Sequence, residues 1–94
     1  MTAKFMGLCA GRHDIPGAID GFVFPNTVTD PFDFDTLTDI ANKSIGKCDY
    51  LSLYVTGLTP VLVVVINLCH NKGINLTLMH YNTATGNYVP QSVD

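Results

Sequence analysis

Residues 50–73 have the sequence YLSLYVTGLTPVLVVVINLCHNKG and contain the clearest fold signal of the chain. The first six residues alternate Leu and Val with Tyr and Ser, and both sets suit partial burial, which is typical of a central strand. Thr59-Pro60 then combines a capping residue type with a proline suited to the first helical position, and Gly73 stands where a helix stops. The stretch therefore predicts a strand, a turn and a helix that ends at Gly73.

The apolar run at residues 61–66 leaves a second interpretation open. Its β-branched side chains suit a strand by propensity. The proline at its start, the length of the run up to Lys72 and the glycine that ends it favour a helix instead. We expect the helix.

Upstream of this stretch, the pattern predicts two strands and one helix. Residues 3–9 suit a first strand, and residues 21–24 a possible short second strand. A helix follows, with apolar residues at helical spacing, Asp33 or Asp35 as its N-cap and Gly46 as its stop.

Downstream, residues 74–80 alternate as a strand does, and residues 88–90 pair back after a turn as a short edge strand, where Pro90 is tolerated. Strands that alternate with helices require right-handed crossovers and a parallel core. The sequence therefore predicts an α/β fold. Its architecture is a minimal Rossmann-like sandwich, with a mostly parallel sheet, two helices and a C-terminal antiparallel hairpin.

Length and charge limit the function classes. The chain has 94 residues, 14% of them charged, and a formal net charge of −3. We expect one domain over residues 1–94, because neither half would bury enough surface to fold alone. The five basic residues form no cluster, whereas holding a nucleic-acid backbone needs several cations on one face. We therefore expect no general DNA or RNA binding, although a single bound anion is compatible with the sequence.

The cysteines predict neither disulfides nor a metal site. Cys9, Cys48 and Cys69 are odd in number, lie in apolar surroundings and form no ligand pattern with the histidines. We expect reduced, buried thiols, no metal and no cofactor. A signal peptide is not recognisable, and the longest apolar run is too short to cross a bilayer. The expectation is a cytoplasmic protein without membrane contacts.

Three segments are expected to meet where the parallel strands end, which is where ligands bind in open α/β sheets. They follow the first strand, the central strand and the last long strand. The predicted ligand-binding residues are Gly11, Arg12, His13, Thr56, Gly57, Thr59, His80 and Tyr81.

The turn at residues 56–59 has two interpretations. Gly57 allows a ligand to approach closely, and the Thr56 and Thr59 hydroxyls, with the free N–H groups of the next helix, suit an anion. In the alternative, Gly57 only makes a tight turn and Thr59 only caps the helix.

Arg12 and His13 are the catalytic candidates. Arg12 is suited to bind a phosphate or carboxylate in a bidentate manner, and His13 to donate a hydrogen bond or a proton. The alternative is a surface pair between Arg12 and Asp14. His80 and Tyr81 either contact a base or sugar or lie at the rim of the sheet. Any catalysis would be metal-independent, for example attack of a ribose hydroxyl on its own phosphate assisted by His13 or Arg12.

The second helix also suggests assembly. Asn67, His70 and Asn71 mark its outward face, and one turn earlier that face contains Val63 and Val64. We expect a homodimer or higher oligomer that covers these valines. The alternative is that the C-terminal hairpin of the same chain covers them.

The segments LYVTGLTP (53–60) and LTLMHY (76–81) resemble small stand-alone CRISPR-associated Rossmann-fold (CARF-like) proteins, over roughly residues 49–81. The resemblance implies a dimer with a cyclic oligoadenylate across its two-fold axis, in CRISPR or phage defence. Thr56, Gly57 and Thr59 match the turn of that class, and Arg12 and His13 would contact phosphate. The class also has a basic residue on the following helix, which this chain lacks before Lys72.

Together these observations predict a protein that binds a small anionic signal nucleotide. The binding would serve to sense, sequester or slowly cleave that nucleotide. If it is an enzyme, it is a ring nuclease or another small phosphodiesterase. The alternative is a protein-interaction or assembly module with no small-molecule site.

Overall fold

The computed structural model describes residues 2–10 and 15–93. Within these residues a five-stranded sheet is packed against two helices. In chain order the elements are β1 (Ala3–Cys9), β2 (Phe22–Phe24), α1 (Phe34–Ile45), β3 (Tyr50–Tyr54), α2 (Thr59–Lys72), β4 (Asn75–Asn82) and β5 (Asn87–Val93).

The sheet has the strand order β2-β1-β3-β4-β5. The first four strands are parallel, and β5 is antiparallel to β4. This confirms the predicted α/β fold, a Rossmann-like sandwich with a mostly parallel sheet and a C-terminal antiparallel hairpin. Neither described helix is long and apolar enough to span a bilayer.

Helix α1 begins and ends where its sequence predicts. Asp33 is the N-cap, and its carboxylate accepts from the backbone N–H of Thr36. Gly46 ends the helix with a positive φ, and its N–H donates to the Asn42 carbonyl. The face between these ends is amphipathic and buries three residues in the core, Leu37, Ala41 and Ile45.

Helix α2 includes the β-branched run, as expected. Pro60 lies in its first turn, and Gly73 ends it in the left-handed region with φ +69°. Its start differs from the prediction by one residue, because Leu58 is the N-cap and Thr59 already belongs to the helix. No side chain caps this end.

Both helices cover the same face of the sheet. They contact each other, and their buried residues form one cluster with buried residues of the strands. The strand residues of that cluster are Met6, Leu8, Cys9, Val23, Phe24, Leu51, Leu53, Leu76 and Leu78.

No helix of the described residues lies on the other face, and we call it the helix-free face. Because successive strand residues point to opposite sides, it consists of every second strand residue. In register these are Ala3, Phe5, Gly7, Phe22, Tyr50, Ser52, Tyr54, Asn75, Thr77, Met79, Tyr81, Tyr88, Pro90 and Ser92, together with Cys9 and Phe24, which end β1 and β2 and are buried in the core cluster.

The predicted outward valine pair is wrong in one of its two members. Val63 is 46% exposed, but Val64 is only 7% exposed and belongs to the core cluster. Val64 lies three residues after Val61 and one before Val65, which places it on the buried side of the helix. Because α1 packs against α2, the polar outward face is narrower than a helical wheel of α2 alone suggests.

The C-terminal hairpin is longer than predicted. Strand β5 has seven residues rather than three, and it pairs with β4 from Asn82–Asn87 to Leu76–Val93. It forms the outer edge of the sheet, which is where Pro90 can be accommodated without a ladder hydrogen bond.

Candidate functional site

The strand order creates a topological switch point beside β1. The chain leaves β1 for β2 on one side and later returns to β3 on the other. In open α/β sheets, ligands bind beyond the carboxyl ends of the strands at such a point. The carboxyl ends of β1, β3 and β4 are adjacent here, and we call this side of the sheet the carboxyl edge.

The first predicted segment is not covered by the described residues. Gly11, Arg12 and His13 lie between the two described ranges, so their roles stay predictions. The described chain reaches the carboxyl edge at Ala10, whose N–H donates to the Phe24 carbonyl at 3.0 Å.

Thr56 is the residue at this edge that most needs a partner. It follows the last rung of the β3–β4 ladder, where the Val55 N–H donates to the Met79 carbonyl. The residue is only 6% exposed, and its Oγ1 has no hydrogen-bond partner among the described residues. A buried hydroxyl without a partner costs about 1–3 kcal/mol, so this position suits a group that a bound molecule would complete.

Gly57 makes the turn from β3 into α2. Its φ is +43°, a conformation that favours glycine, and it allows the Leu58 N–H to donate to the Thr56 carbonyl at 2.8 Å. The buried Thr56 hydroxyl therefore lies only two residues before Leu58, the N-cap of α2.

The start of α2 has a positive electrostatic character. The first N–H groups of a helix have no partner within it, and the helix dipole places partial positive charge there. Leu58 offers no capping oxygen, and the first turn of α2 contains no acidic residue. Thr59 is exposed in that turn, so its hydroxyl is accessible.

His80 and Tyr81 lie on opposite faces of β4. The strand continues past the Tyr54–Met79 pair, so these residues extend beyond the end of β3. His80 shares its face with Leu76 and Leu78, on the side that the helices cover. Tyr81 belongs to the helix-free face, so the two do not form one ligand-facing group.

Both side chains also have partners within the chain. The Nε2 of His80 lies 2.8 Å from the Oε1 of Gln91, and Nε2 donates because an amide oxygen only accepts. Tyr81 makes an edge contact with Tyr88, with 5.3 Å between ring centroids.

A tyrosine cluster on the helix-free face is a feature that the sequence analysis did not identify. The ring of Tyr88 lies 4.8 Å from that of Tyr54 and also contacts Tyr81. The loop before β2 approaches this cluster closely, since a Cβ added to Gly17 would lie 2.3 Å from the Tyr54 hydroxyl. Gly7 is similarly crowded, because its added Cβ would lie 2.5 Å from the Phe22 ring.

A cavity near the start of α1 suits an anion poorly. It has a volume of about 190 Å³ and is lined by the end of β2 and the first turns of α1. Asp30 and Asp33 are among its lining residues. Two carboxylates and a helix end already capped by Asp33 would repel a phosphate.

The described lysines lie at the opposite end of the sheet. The Nζ of Lys4 donates to the Ile45 carbonyl at 2.6 Å, and that of Lys72 to the Gly46 carbonyl at 2.8 Å. Both stabilise the negative end of the α1 dipole. The other two described lysines are in or next to the last turn of α1, at positions 43 and 47. Arg12 is then the one basic residue of the sequence that is not assigned to that end.

The thiols of Cys48 and Cys69 are poor nucleophiles. Burial raises the pKa of Cys69 to about 11, with the neighbouring Cys48 as a smaller cause. Burial also raises the pKa of Cys48, against the opposing effect of Lys4 and Lys72. A thiol with a raised pKa is largely protonated at neutral pH and reacts slowly.

Within residues 2–10 and 15–93, no group of three or more His, Cys, Asp and Glu side chains is arranged to hold a metal ion. No model of a known protein family, no curated protein and no solved structure matches the chain.

Proposed function

We propose that the protein binds a small anionic ligand, a signal nucleotide such as a cyclic oligoadenylate, at the carboxyl edge. The observation that supports this most directly is the buried Thr56 hydroxyl, which has no partner among the described residues and lies just before the start of α2, which no described side chain caps. A phosphate would accept hydrogen bonds from this hydroxyl and from N–H groups of the first helical turn.

The remaining predicted residues have complementary roles in this proposal. Gly57 permits close approach of the ligand, and the exposed Thr59 hydroxyl offers a further donor. Arg12 supplies the positive charge, and His13 a hydrogen bond or a proton. His80 would bind through its second ring nitrogen while Nε2 stays with Gln91, whereas Tyr81, on the opposite face of β4, has no role in this proposal.

The nature of the ligand follows from the resemblance to CARF-like proteins. We propose a cytoplasmic role in CRISPR or phage defence, in which a homodimer senses or sequesters the nucleotide. Slow ring cleavage, with Arg12 and His13 at the scissile phosphate, is the enzymatic form of the same proposal. Incubation with labelled cyclic tetra- and hexa-adenylate tests it, and loss of cleavage in His13→Ala with retained binding would assign the chemistry to His13.

The binding proposal is tested by thermal unfolding with cyclic tetra-adenylate, cyclic hexa-adenylate, linear oligoadenylate and inorganic phosphate. A ligand at a hundred times its Kd adds about 2.7 kcal/mol of stability, which raises the Tm measurably. We expect Thr56→Val to weaken this effect at least tenfold. The matched control is Thr77→Val, a half-buried threonine on the helix-free face, and it should keep the full shift.

A protein whose Tm changes with none of these compounds would overturn the proposal. Equal losses in Thr56→Val and Thr77→Val would remove the assignment to the start of α2. Isothermal titration of the wild type then decides whether a ligand binds elsewhere.

The second candidate function is a module that binds another protein and no small molecule. It is favoured by a groove of about 440 Å³ between α1 and α2, in which Phe34 and Val63 are exposed. This function predicts no Tm shift with nucleotides and a loss of assembly in Val63→Lys.

A further inference from the structure

His80 lies at the carboxyl edge, on the side of the sheet that the helices cover. It follows Met79, whose carbonyl accepts from the Val55 N–H, so His80 is level with Val55 on the neighbouring strand. Helix α2 starts on the same side of the sheet, after its N-cap at Leu58. Because neighbouring strands are about 4.8 Å apart, His80 lies directly beside the segment that leads from β3 into α2.

One ring nitrogen of His80 already has a partner. Nε2 lies 2.8 Å from the Oε1 of Gln91, two residues beyond Val89, which pairs with His80 on β5. An amide oxygen only accepts, so Nε2 carries a hydrogen. In a neutral imidazole the other nitrogen, Nδ1, then has no hydrogen and can only accept.

The bond to Gln91 therefore decides which charge state of His80 suits an anion. An unprotonated Nδ1 and a phosphate oxygen are both acceptors, so they repel each other. In the protonated ring both nitrogens donate, and a hydrogen bond from an imidazolium to a phosphate is charge-assisted and strong. With Nε2 held by Gln91, His80 can donate to an anion only as an imidazolium.

The described elements next to His80 supply no carboxylate that would balance an imidazolium. Strand β5, the turn at residues 83–86 and residues 59–68 of α2 contain no acidic or basic residue. The tyrosines of β3, β4 and β5 lie on the helix-free face, away from the imidazole. Cys69, His70 and Lys72 are near the opposite end of α2.

The rest of the carboxyl edge is charged only at a distance in the fold or outside the described residues. Asp30, Asp33 and Asp35 belong to the start of α1, which packs on β2 and α2. Residues 11–14, with one arginine, one histidine and one aspartate, are not among the described ones. The start of α2 itself is positive through the helix dipole. A bound anion is therefore the negative charge that an imidazolium at residue 80 would meet.

We propose that the anion at the start of α2 is bound by the protonated form of His80, so that binding takes up a proton. This inference rests on the proposed function, and it adds regulation by pH to the same site. The buried Thr56 hydroxyl, without a partner among the described residues, marks where the anion binds. Proton and anion then each strengthen the binding of the other.

The direction of the pH effect follows from this coupling. A histidine changes its charge between about pH 5 and about pH 8, whereas a phosphodiester stays ionised over that range. A change in affinity therefore reports on the protein and not on the ligand. Affinity is highest at the acidic end of the range, and it falls as the pH rises and the free ring loses its proton.

The first test measures the Kd of cyclic tetra-adenylate by isothermal titration. We expect the wild type to bind about tenfold more tightly at about pH 5.5 than at about pH 8. His80→Gln keeps a polar side chain that does not titrate, and its Kd should be the same at both pH values. The matched control is His70→Gln, near the other end of α2, which should keep the wild-type profile. Circular dichroism checks that both variants are folded.

The second test changes the partner of the ring. Gln91→Glu replaces the neutral acceptor by a carboxylate of nearly the same shape, which favours the protonated ring. The pH profile of binding should therefore move to higher pH by about one unit, although the added negative charge weakens binding at every pH. A merely structural role of Gln91 would not move the profile.

The third test counts the proton. Titrations of the wild type in two buffers with different heats of ionisation, near neutral pH, give the number of protons taken up on binding. We expect uptake of up to about one proton per site, and none in His80→Gln. Sulfate, which is not a nucleotide and stays ionised, is the second probe if cyclic tetra-adenylate does not bind.

The outcomes separate this inference from the proposed function. Binding with the same Kd at both pH values overturns the inference and leaves the proposed function standing, since Nδ1 would then carry the hydrogen of a neutral ring. A pH dependence that persists in His80→Gln and disappears in His13→Gln assigns the proton to His13 and also overturns it. If neither cyclic tetra-adenylate nor sulfate binds at any pH, the proposed function fails, and this inference fails with it.

Discussion

The starts of the two helices differ in how their polar groups are paired. At α1, the Asp33 carboxylate accepts from the Thr36 hydroxyl at 2.9 Å and from its backbone N–H at 3.4 Å. At α2, the capping position is Leu58, and the nearby Thr56 hydroxyl is buried without a partner in the described chain. The described residues thus cap one helix start with a side chain and leave the other uncapped, at a cost in stability that a ligand could recover.

Position alone does not explain this difference. Both helices run antiparallel to the strands that precede them, so both begin at the carboxyl edge. The charges around them differ, because Asp30, Asp33 and Asp35 surround the start of α1 and none is present in the first turn of α2. An anion is thus repelled from one helix start and attracted to the other.

The largest effect is expected when the unpaired hydroxyl is removed. Thr56→Val should stabilise the ligand-free protein by about 1–3 kcal/mol, because it removes the cost of a buried polar group while keeping its shape. Urea unfolding monitored by circular dichroism measures this. A loss of stability would mean that the hydroxyl is paired in solution and that the two helix starts are more alike than they look.

A smaller effect of opposite sign is expected at α1. Asp33→Ala should cost about 0.5–2 kcal/mol, because it removes the cap. Asp35→Ala, in the same turn but not the cap, should cost only about 0.3–1 kcal/mol through the helix dipole. Thr59→Ala should stay within about 0.5 kcal/mol of the wild type. A cost at Thr59 equal to that at Asp33 would show that α2 is capped after all.

The smallest effect on the free energy of unfolding at neutral pH is expected from the buried thiol of α2. Cys69 on α2 has a pKa raised by burial to about 11, whereas α1 buries only Leu37, Ala41 and Ile45. Between the unfolded pKa near 9 and the folded pKa, the unfolded chain has lost the thiol proton and the folded chain retains it. Stability should therefore fall as the pH rises from about 9 to about 11 and be insensitive to this group below pH 8.

Urea midpoints from pH 8 to pH 10.5 measure this fall. Cys69→Ala is the control, since it lowers stability at all pH values but should have a shallower slope with pH. Equal slopes in the two proteins would exclude Cys69 as the cause.

Much of the fold could be predicted because its signals are local. The proline and glycine at the ends of α2 outweighed the strand propensity of its β-branched residues, since a proline at residue 60 and a left-handed Gly73 fix where a helix can begin and end. Asp33 and Gly46 likewise mark where α1 begins and ends. The alternation of apolar and polar residues in β4 predicts which of its side chains are buried, and the buried ones are its two leucines.

The remaining features depend on contacts between distant segments. Burial of Val64 is determined by the position of α1, which a helical wheel of α2 does not contain. Burial of Thr56, whose hydroxyl has no partner in the described part of the chain, depends on the segments that surround the end of β3. The opposite orientations of His80 and Tyr81, in contrast, follow from the two-residue period of a strand and were accessible from sequence.

The close approaches at Gly7 and Gly17 also restrict how this protein can change over generations. A side chain at either position would collide with an aromatic ring 15 or 37 residues further along the chain, at Phe22 or Tyr54. Larger residues at these glycines should be accepted only together with a smaller partner. Relatives that have diverged beyond overall similarity should therefore still share a paired signature, a small residue matched with an aromatic one at both spacings.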